Sequence, residues 1–160
     1  SLGHGLGVGS GLALAAKLDH QDWRVFTLLG DGECNEGSIW EAAMFAAHHQ
    51  LNNLVAIVDR NHLSATDYTE NILQQNPVAD RWQAFGWEVV TIDGHDLKAL
   101  IAAFDRTSQP SDKPLVVIAE TVKGKGIPFM ENSPNWHHQL PKGDQIPLAL
   151  QFLEREVARP

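Results

Sequence analysis

The sequence predicts an α/β domain in which a mainly parallel sheet is flanked by helices on both faces. Three observations carry this reading. Four apolar-rich runs, 25–29, 54–58, 87–92 and 115–119, have the length of buried strands. Segments of helical composition or spacing alternate with them, the order expected of a parallel sheet built through helical crossovers. Polar residues and glycines then collect just beyond the runs. Parallel strands would bring those positions to one edge.

From the amino terminus, glycine occupies every second position from Gly3 to Gly11, and Leu12-Ala13-Leu14-Ala15-Ala16 continues as a helix. No register gives G-x-G-x-x-G and no G-K-[ST] follows, so neither a dinucleotide fingerprint nor a nucleotide phosphate loop is present. The run reads as a tightly packed glycine-rich entry to a helix, or as a loop whose backbone approaches a phosphate at the helix start. Residues 22–29 form the first strand, followed by the turn Gly30-Asp31-Gly32. In the helix expected over 39–51, Trp40, Met44, Ala47 and Leu51 recur at helical spacing and read as core. His48 and His49 fall near its end, facing solvent or capping it. The strand 54–58 leads into Asp59-Arg60-Asn61-His62-Leu63.

Residues 64–76 are polar and aperiodic, a long surface loop at an edge where such loops are often functional. A short helix is expected over 78–85, then Gly86 and the strand 87–92. Asp93-Gly94-His95-Asp96 caps the next helix, where Leu97, Leu100, Ile101 and Phe104 mark an apolar stripe. Residues 109–114 link to the strand 115–119. Glu120-Thr121-Val122-Lys123-Gly124-Lys125-Gly126 stands at its carboxyl end, and Pro134-Asn135-Trp136-His137-His138 lies farther on. A terminal helix over 145–157 carries Leu150, Leu153 and Val157 on one face. No internal repeat is visible.

Composition bounds the function classes. A chain of 160 residues is about one domain and can bury a proper core. With 12 basic against 20 acidic residues the net charge is −8, and no basic stripe invites nucleic acid. No apolar run reaches membrane-span length, and no signal peptide is visible, so no membrane contact is expected. Cys34 is alone, which excludes an intrachain disulfide and favours a reducing cytoplasm.

The chemistry concentrates between Gly30 and Leu63. A lone Gly-Asp-Gly is an ordinary turn. Here Asp59-x-Asn61 follows at the length of one βα crossover, and a carboxylate, an amide oxygen and a backbone carbonyl suit a hard cation such as Mg²⁺ or Ca²⁺. The combination resembles the thiamine diphosphate motif, which begins Gly-Asp-Gly and ends in Asn. Glu33-x-x-Glu36-Gly37-Ser38-x-Trp40-Glu41-Ala42 and Leu51-x-Asn53-Leu54 are similar to the transketolase family in particular, and the resemblance extends over essentially the whole chain.

What the resemblance implies is specific. Asp31, Asn61 and the carbonyl of Leu63 would hold the cation, with Gly32 against the diphosphate. Ser1 and Leu2 would touch the cofactor, and Glu36 would stand at a dimer interface between two cofactor sites. His137, after the family's Lys-Gly-Lys-Gly loop, would contact cofactor and substrate and act in catalysis. His138 stands where the family commonly has Gly. An acidic chain would neutralise the diphosphate locally, with a metal and backbone amides.

The implied fold is the thiamine diphosphate-binding fold, with residues 1–160 as a diphosphate-binding domain that lacks its amino-terminal segment. The implied activity is transfer of a two-carbon ketol unit between sugar phosphates. The glutamate that activates the aminopyrimidine belongs to another domain, so a carboxy-terminal pyrimidine-domain subunit is the expected partner, in a homodimer or heterotetramer. A 1-deoxyxylulose-5-phosphate synthase shares the motif frame, but Glu36-Gly37-Ser38-x-Trp40-Glu41-Ala42 and Trp136-His137 favour transketolase. A 2-oxoacid dehydrogenase component would commonly end its motif in Asn-Asn, and here His62 follows Asn61. A cofactor-binding fragment without activity of its own is the reading from a different class.

Overall fold

In the computed structural model, residues 2–109 and 111–157 are described, with side chains through 155. Among these residues four strands, β1 (Val25–Gly30), β2 (Leu54–Arg60), β3 (Glu88–Asp93) and β4 (Leu115–Glu120), form one all-parallel sheet in the order β1-β2-β4-β3. The central strands β2 and β4 are buried along almost their whole length, as their continuous Val, Ile, Leu and Ala runs require between two covered faces.

Helices α1 (Gly5–Leu18), α2 (Gly37–His48) and α4 (Val78–Ala84) contribute to the core on one face. There Leu6, Ile39, Ala43 and Trp82 meet Leu29, Leu54, Val58, Val116 and Ile118. Trp82 is the centre of an aromatic cluster, with ring centroids 5.2 Å from Trp40 and 5.0 Å from Trp87. The other face is covered by α5 (Leu97–Asp105), whose Ala103 and Phe104 pack on Val55, Leu115 and Val117. A short α3 (Thr69–Ile72) and the terminal α6 (Gln145–Val157) complete the order. No helix among the described residues is long and apolar enough to cross a membrane.

Several sequence expectations are corrected here. The glycine run is mostly helix, because α1 begins at Gly5 and takes in four of the five glycines. Gly9 shows why one of them is needed: a Cβ there would lie 2.4 Å from Thr27 Oγ1, so only glycine lets α1 rest on β1. In α2 the fully buried face is Ile39, Ala42, Ala43 and Ala46. Of the expected core row, Leu51 is buried, Trp40 and Ala47 are partly buried against the core, and only Met44 turns outward at 53% exposed. Small alanines turn inward because α1 packs closely against α2. In α5, Leu97 and Ile101 are exposed at 72% and 61%, and the stripe is carried by Ala103 with partly buried Leu100 and Phe104. The stretch 64–76 is not wholly surface loop, since it contains α3 and the buried Thr69 and Gln75.

Candidate functional site

All four strands end on one edge, where the sheet register sets Gly30 beside Asp59 and Arg60 beside Glu120. The chain leaves β1 at Gly30 and turns at once through Asp31 into a tight 3-10 turn, Gly32–Asn35. Asp31 is 1% exposed. Its Oδ1 accepts the Gly32 N–H at 2.7 Å, and its Oδ2 accepts the His62 N–H at 2.6 Å. Burial pushes its pKa above the ordinary carboxylate value, opposed by those two backbone donors and by His62. A buried carboxylate held against its own desolvation is a strong oxygen ligand for a cation.

The second candidate position follows β2. Asn61 is succeeded by His62 in the left-handed region (φ 61°), and Asn61 Oδ1 accepts the Leu63 N–H at 3.0 Å. This turn folds residues 61–63 back toward Asp31. Asp31, Gly32, Asn61, Leu63, Leu2 and His137 all line one cavity of about 280 Å³, together with Glu33, Asp59, Ser64 and Lys123. A larger open depression of about 430 Å³ lies by the ends of β3 and β4, lined by Asp93, His95 and Lys125, and contains none of these residues. The smaller cavity is the one with convergent oxygen donors, and chemistry rather than volume selects it.

Among the described residues no three of His, Cys, Asp and Glu gather as metal ligands. Instead the cavity offers an oxygen-rich set, with Asp31, Glu33, Asp59, Asn61 and Ser64 among its lining residues. It fits a hard cation that takes its remaining ligands from phosphate and water. It does not fit a softer metal that needs nitrogen or sulfur.

His137 follows the 3-10 turn Pro134–Trp136, which Trp136 ties down by donating Nε1–H to the Phe129 carbonyl at 2.9 Å. Its imidazole pKa is lowered, first by partial desolvation and then by the positive charge of Lys123 and by His138. A neutral ring at neutral pH can exchange a proton. His138 does not line the cavity, although its ring centroid is 4.5 Å from that of His137. Glu36 is exposed at the start of α2 and does not line the cavity either. Ser1 lies outside the described residues. His95 Nε2 accepts the Val122 N–H at 2.8 Å, and Asp96 caps α5, so the Asp-Gly-His-Asp turn has local work.

Two residues beside the cavity gain a positioning role only from the finished fold. Glu33 accepts the Gly30 N–H at 3.0 Å and the Gly3 N–H at 2.9 Å, which fastens the amino-terminal loop beside the cavity. Gly3 sits at φ 76°, and a Cβ there would be 2.6 Å from Ser38 Oγ. Glu33's signal was its place three residues after Gly30. Gln75, buried in the loop before α4, donates Nε2–H to the Asp31 carbonyl at 2.7 Å and to Asn35 Oδ1 at 3.0 Å. Nothing local in its polar stretch marked it.

Comparison with known proteins adds an independent line. Residues 2–153 match the family described as transketolase, thiamine diphosphate binding domain. The chain is 47% identical over 156 residues to an apulose-4-phosphate transketolase subunit of Actinobacillus succinogenes, covering 98% of this chain and 56% of that protein. It is 39% identical over 158 residues to a 6-deoxy-6-sulfo-D-fructose transketolase subunit of Clostridium sp., covering 99% and 58%. The crystal structure of transketolase from Campylobacter jejuni is similar at a TM-score of 0.84 and 32% identity, over 94% of this chain and 24% of that one. This chain thus spans a little over half the length of the subunits it matches.

Proposed function

Because the chain belongs to the family of transketolase thiamine diphosphate-binding domains, we propose that it forms the diphosphate-binding half of a Mg²⁺-dependent, cytoplasmic transketolase that moves a two-carbon ketol unit between sugar phosphates. The carrying observation is the cavity shared by Asp31, Gly32, Asn61, Leu63, Leu2 and His137. On this reading residues 1–160 act as one diphosphate-binding domain. A subunit that binds the pyrimidine end completes the enzyme, in a homodimer or heterotetramer, and the isolated chain does not turn over. Relatives named as transketolase subunits support a partner of this kind.

Thiamine diphosphate, when bound, supplies the thiazolium carbon that carries the transferred unit. The chain's own residues bind and orient it. Asp31, Asn61 and the Leu63 carbonyl would hold the cation, and Gly32 lets the diphosphate approach the backbone. Lys123 offsets its charge, which a chain of net charge −8 cannot do in bulk. Leu2 offers an apolar contact on the cavity wall, and His137 exchanges a proton at a ring nitrogen with a substrate hydroxyl. Glu36, exposed beside the Gly3 loop, is free to face a second subunit.

Isothermal titration of thiamine diphosphate and Mg²⁺ into the chain assembled with its pyrimidine-domain partner tests the reading. Binding should be lost in Asp31→Ala and in Asn61→Ala, since each would remove an oxygen ligand that the cation would use. Unchanged binding in both variants would sink the assignment.

A further inference from the structure

Among the described residues, Asn61 makes no side-chain bond to the rest of the sheet; its Oδ1 closes only its own turn onto Leu63. Its neighbours, however, are all fastened to the end of β4 and the residue after it. Glu120 Oε1 accepts from Arg60 Nε at 3.0 Å, and Oε2 accepts from His62 Nε2 at 2.9 Å. The Thr121 hydroxyl donates to Asp59 Oδ1, and the Thr121 N–H donates to the Arg60 carbonyl at 3.0 Å. One carboxylate therefore grips both residues flanking Asn61.

Arg60 extends the connection to the other ligand. Its side chain is buried, its Nη2 donates to Asn76 Oδ1 at 2.7 Å, and Nη1 has no hydrogen-bond partner among the described residues. Asn76 follows Gln75, whose amide holds the Asp31 carbonyl. A chain of contacts thus runs from the Asn61 turn through Glu120, Arg60 and Asn76 to Gln75 and the backbone of Asp31. Without Glu120, a buried guanidinium would keep a single partner, a condition proteins tolerate poorly.

We propose that Glu120 is a positioning residue that sets the Asn61 turn and keeps it in register with Asp31, acting through Arg60 and His62. The metal-site consequence rests on the functional reading above, whereas the geometric claim stands without it. Glu120 does not line the cavity, so its effect is indirect. His62 gives the cleanest variant. Its backbone is in the left-handed region, which Asn tolerates better than His, and Asn is too short to reach Glu120.

The test is amide hydrogen exchange by NMR on the metal-free chain. In Glu120→Ala and in His62→Asn, the amides of positions 62 and 63, each relative to its intrinsic rate, should exchange about tenfold faster or more, while amides inside β1 and β2 keep their rates. Should Glu120→Ala fail to fold, His62→Asn, which retains the Arg60–Glu120 pair, still decides. Titration with Mg²⁺ and inorganic diphosphate is the second measurement. His62→Asn should weaken binding about tenfold while its melting temperature holds or rises, because the left-handed strain is relieved. A purely structural role would move both in the same direction. Exchange within twofold of wild type at His62 and Leu63 in every folded variant would overturn the proposal. If the wild-type chain alone bound no Mg²⁺–diphosphate, the titration would be repeated with the pyrimidine-domain partner present, where absent binding would sink the functional reading. The exchange rates would still decide the role of Glu120.

Discussion

Replacing Gln75 should weaken the fold and loosen Asp31, in a manner that depends on the replacement. Gln75 is 4% exposed and donates two hydrogen bonds, to the Asp31 carbonyl and to Asn35 Oδ1. Gln75→Ala removes both bonds and a buried methylene. The Asp31 carbonyl keeps the Cys34 N–H at 3.0 Å, so no acceptor is stranded there. At about 1 kcal/mol per bond plus about 0.8 kcal/mol for the methylene, the loss is about 3 kcal/mol. The melting temperature should fall by roughly 6–12 °C. Gln75→Glu keeps the shape but turns a carboxylate oxygen toward two acceptors beside the Asp31 carboxylate. Burial there raises the new group's pKa above its unfolded value, so its favourable contribution is complete at low pH and is lost as pH rises through the folded value. Urea unfolding followed by tryptophan fluorescence, at about pH 4.5 and about pH 7.5, separates the two. Gln75→Ala should show a similar deficit at both, and Gln75→Glu a deficit that widens toward neutrality. A Gln75→Glu chain that tracks wild type at both pH values would refute the reasoning, as would Gln75→Ala within about 0.5 kcal/mol of wild type.

The remaining predictions concern α1 and His137. Gly9→Ala should cost about 1–3 kcal/mol by forcing a methyl into Thr27. Gly11→Ala, where a Cβ meets nothing within 4 Å, should instead stabilise by up to about 1 kcal/mol through helix propensity. Thermal melts that failed to separate the two in this order would contradict the seating of α1 on β1. Lys123→Met removes a positive neighbour that holds the His137 pKa down, so the His137 midpoint should rise. An NMR titration of the ring Cε1–H reads this directly, and a fixed or lower midpoint would remove Lys123 from the site's electrostatics.

The strands were legible through their apolar composition, and all four appear within a few residues of expectation. The runs expected to be buried include two edge strands, however: β1 leaves Phe26 and Leu28 exposed, and β3 is only partly covered. All four extend at their carboxyl ends through Gly30, Asp59, Arg60, Glu120 and Asp93, where polar side chains hide strand character although the backbone ladder continues. The Asp31 and Asn61 positions were legible because a motif at fixed spacing survives without knowledge of packing. Gln75, Glu33 and Glu120 were not, since each works through a backbone group or side chain brought near only by the finished sheet. The glycine run misled for a related reason. Its low helix propensity is overridden by the need for α1 to lie close on β1, a contact no local pattern encodes.

The position of β4 has a consequence for the order of events during folding. It is the last strand in sequence yet sits between β2 and β3. The β1–α2–β2 unit that carries Asp31 and Asn61 is contiguous in the chain and can pair early. The residues that hold Asp59, Arg60 and His62 arrive only when β4 inserts, some sixty positions later. A nascent chain ending before residue 120 therefore has both positions and the His62 N–H bond to Asp31, but lacks the carboxylate that fixes the Arg60 and His62 side chains. On the proposed function, affinity for a metal–phosphate group would grow as the sheet is completed, so ligand binding would report the assembly of the whole domain.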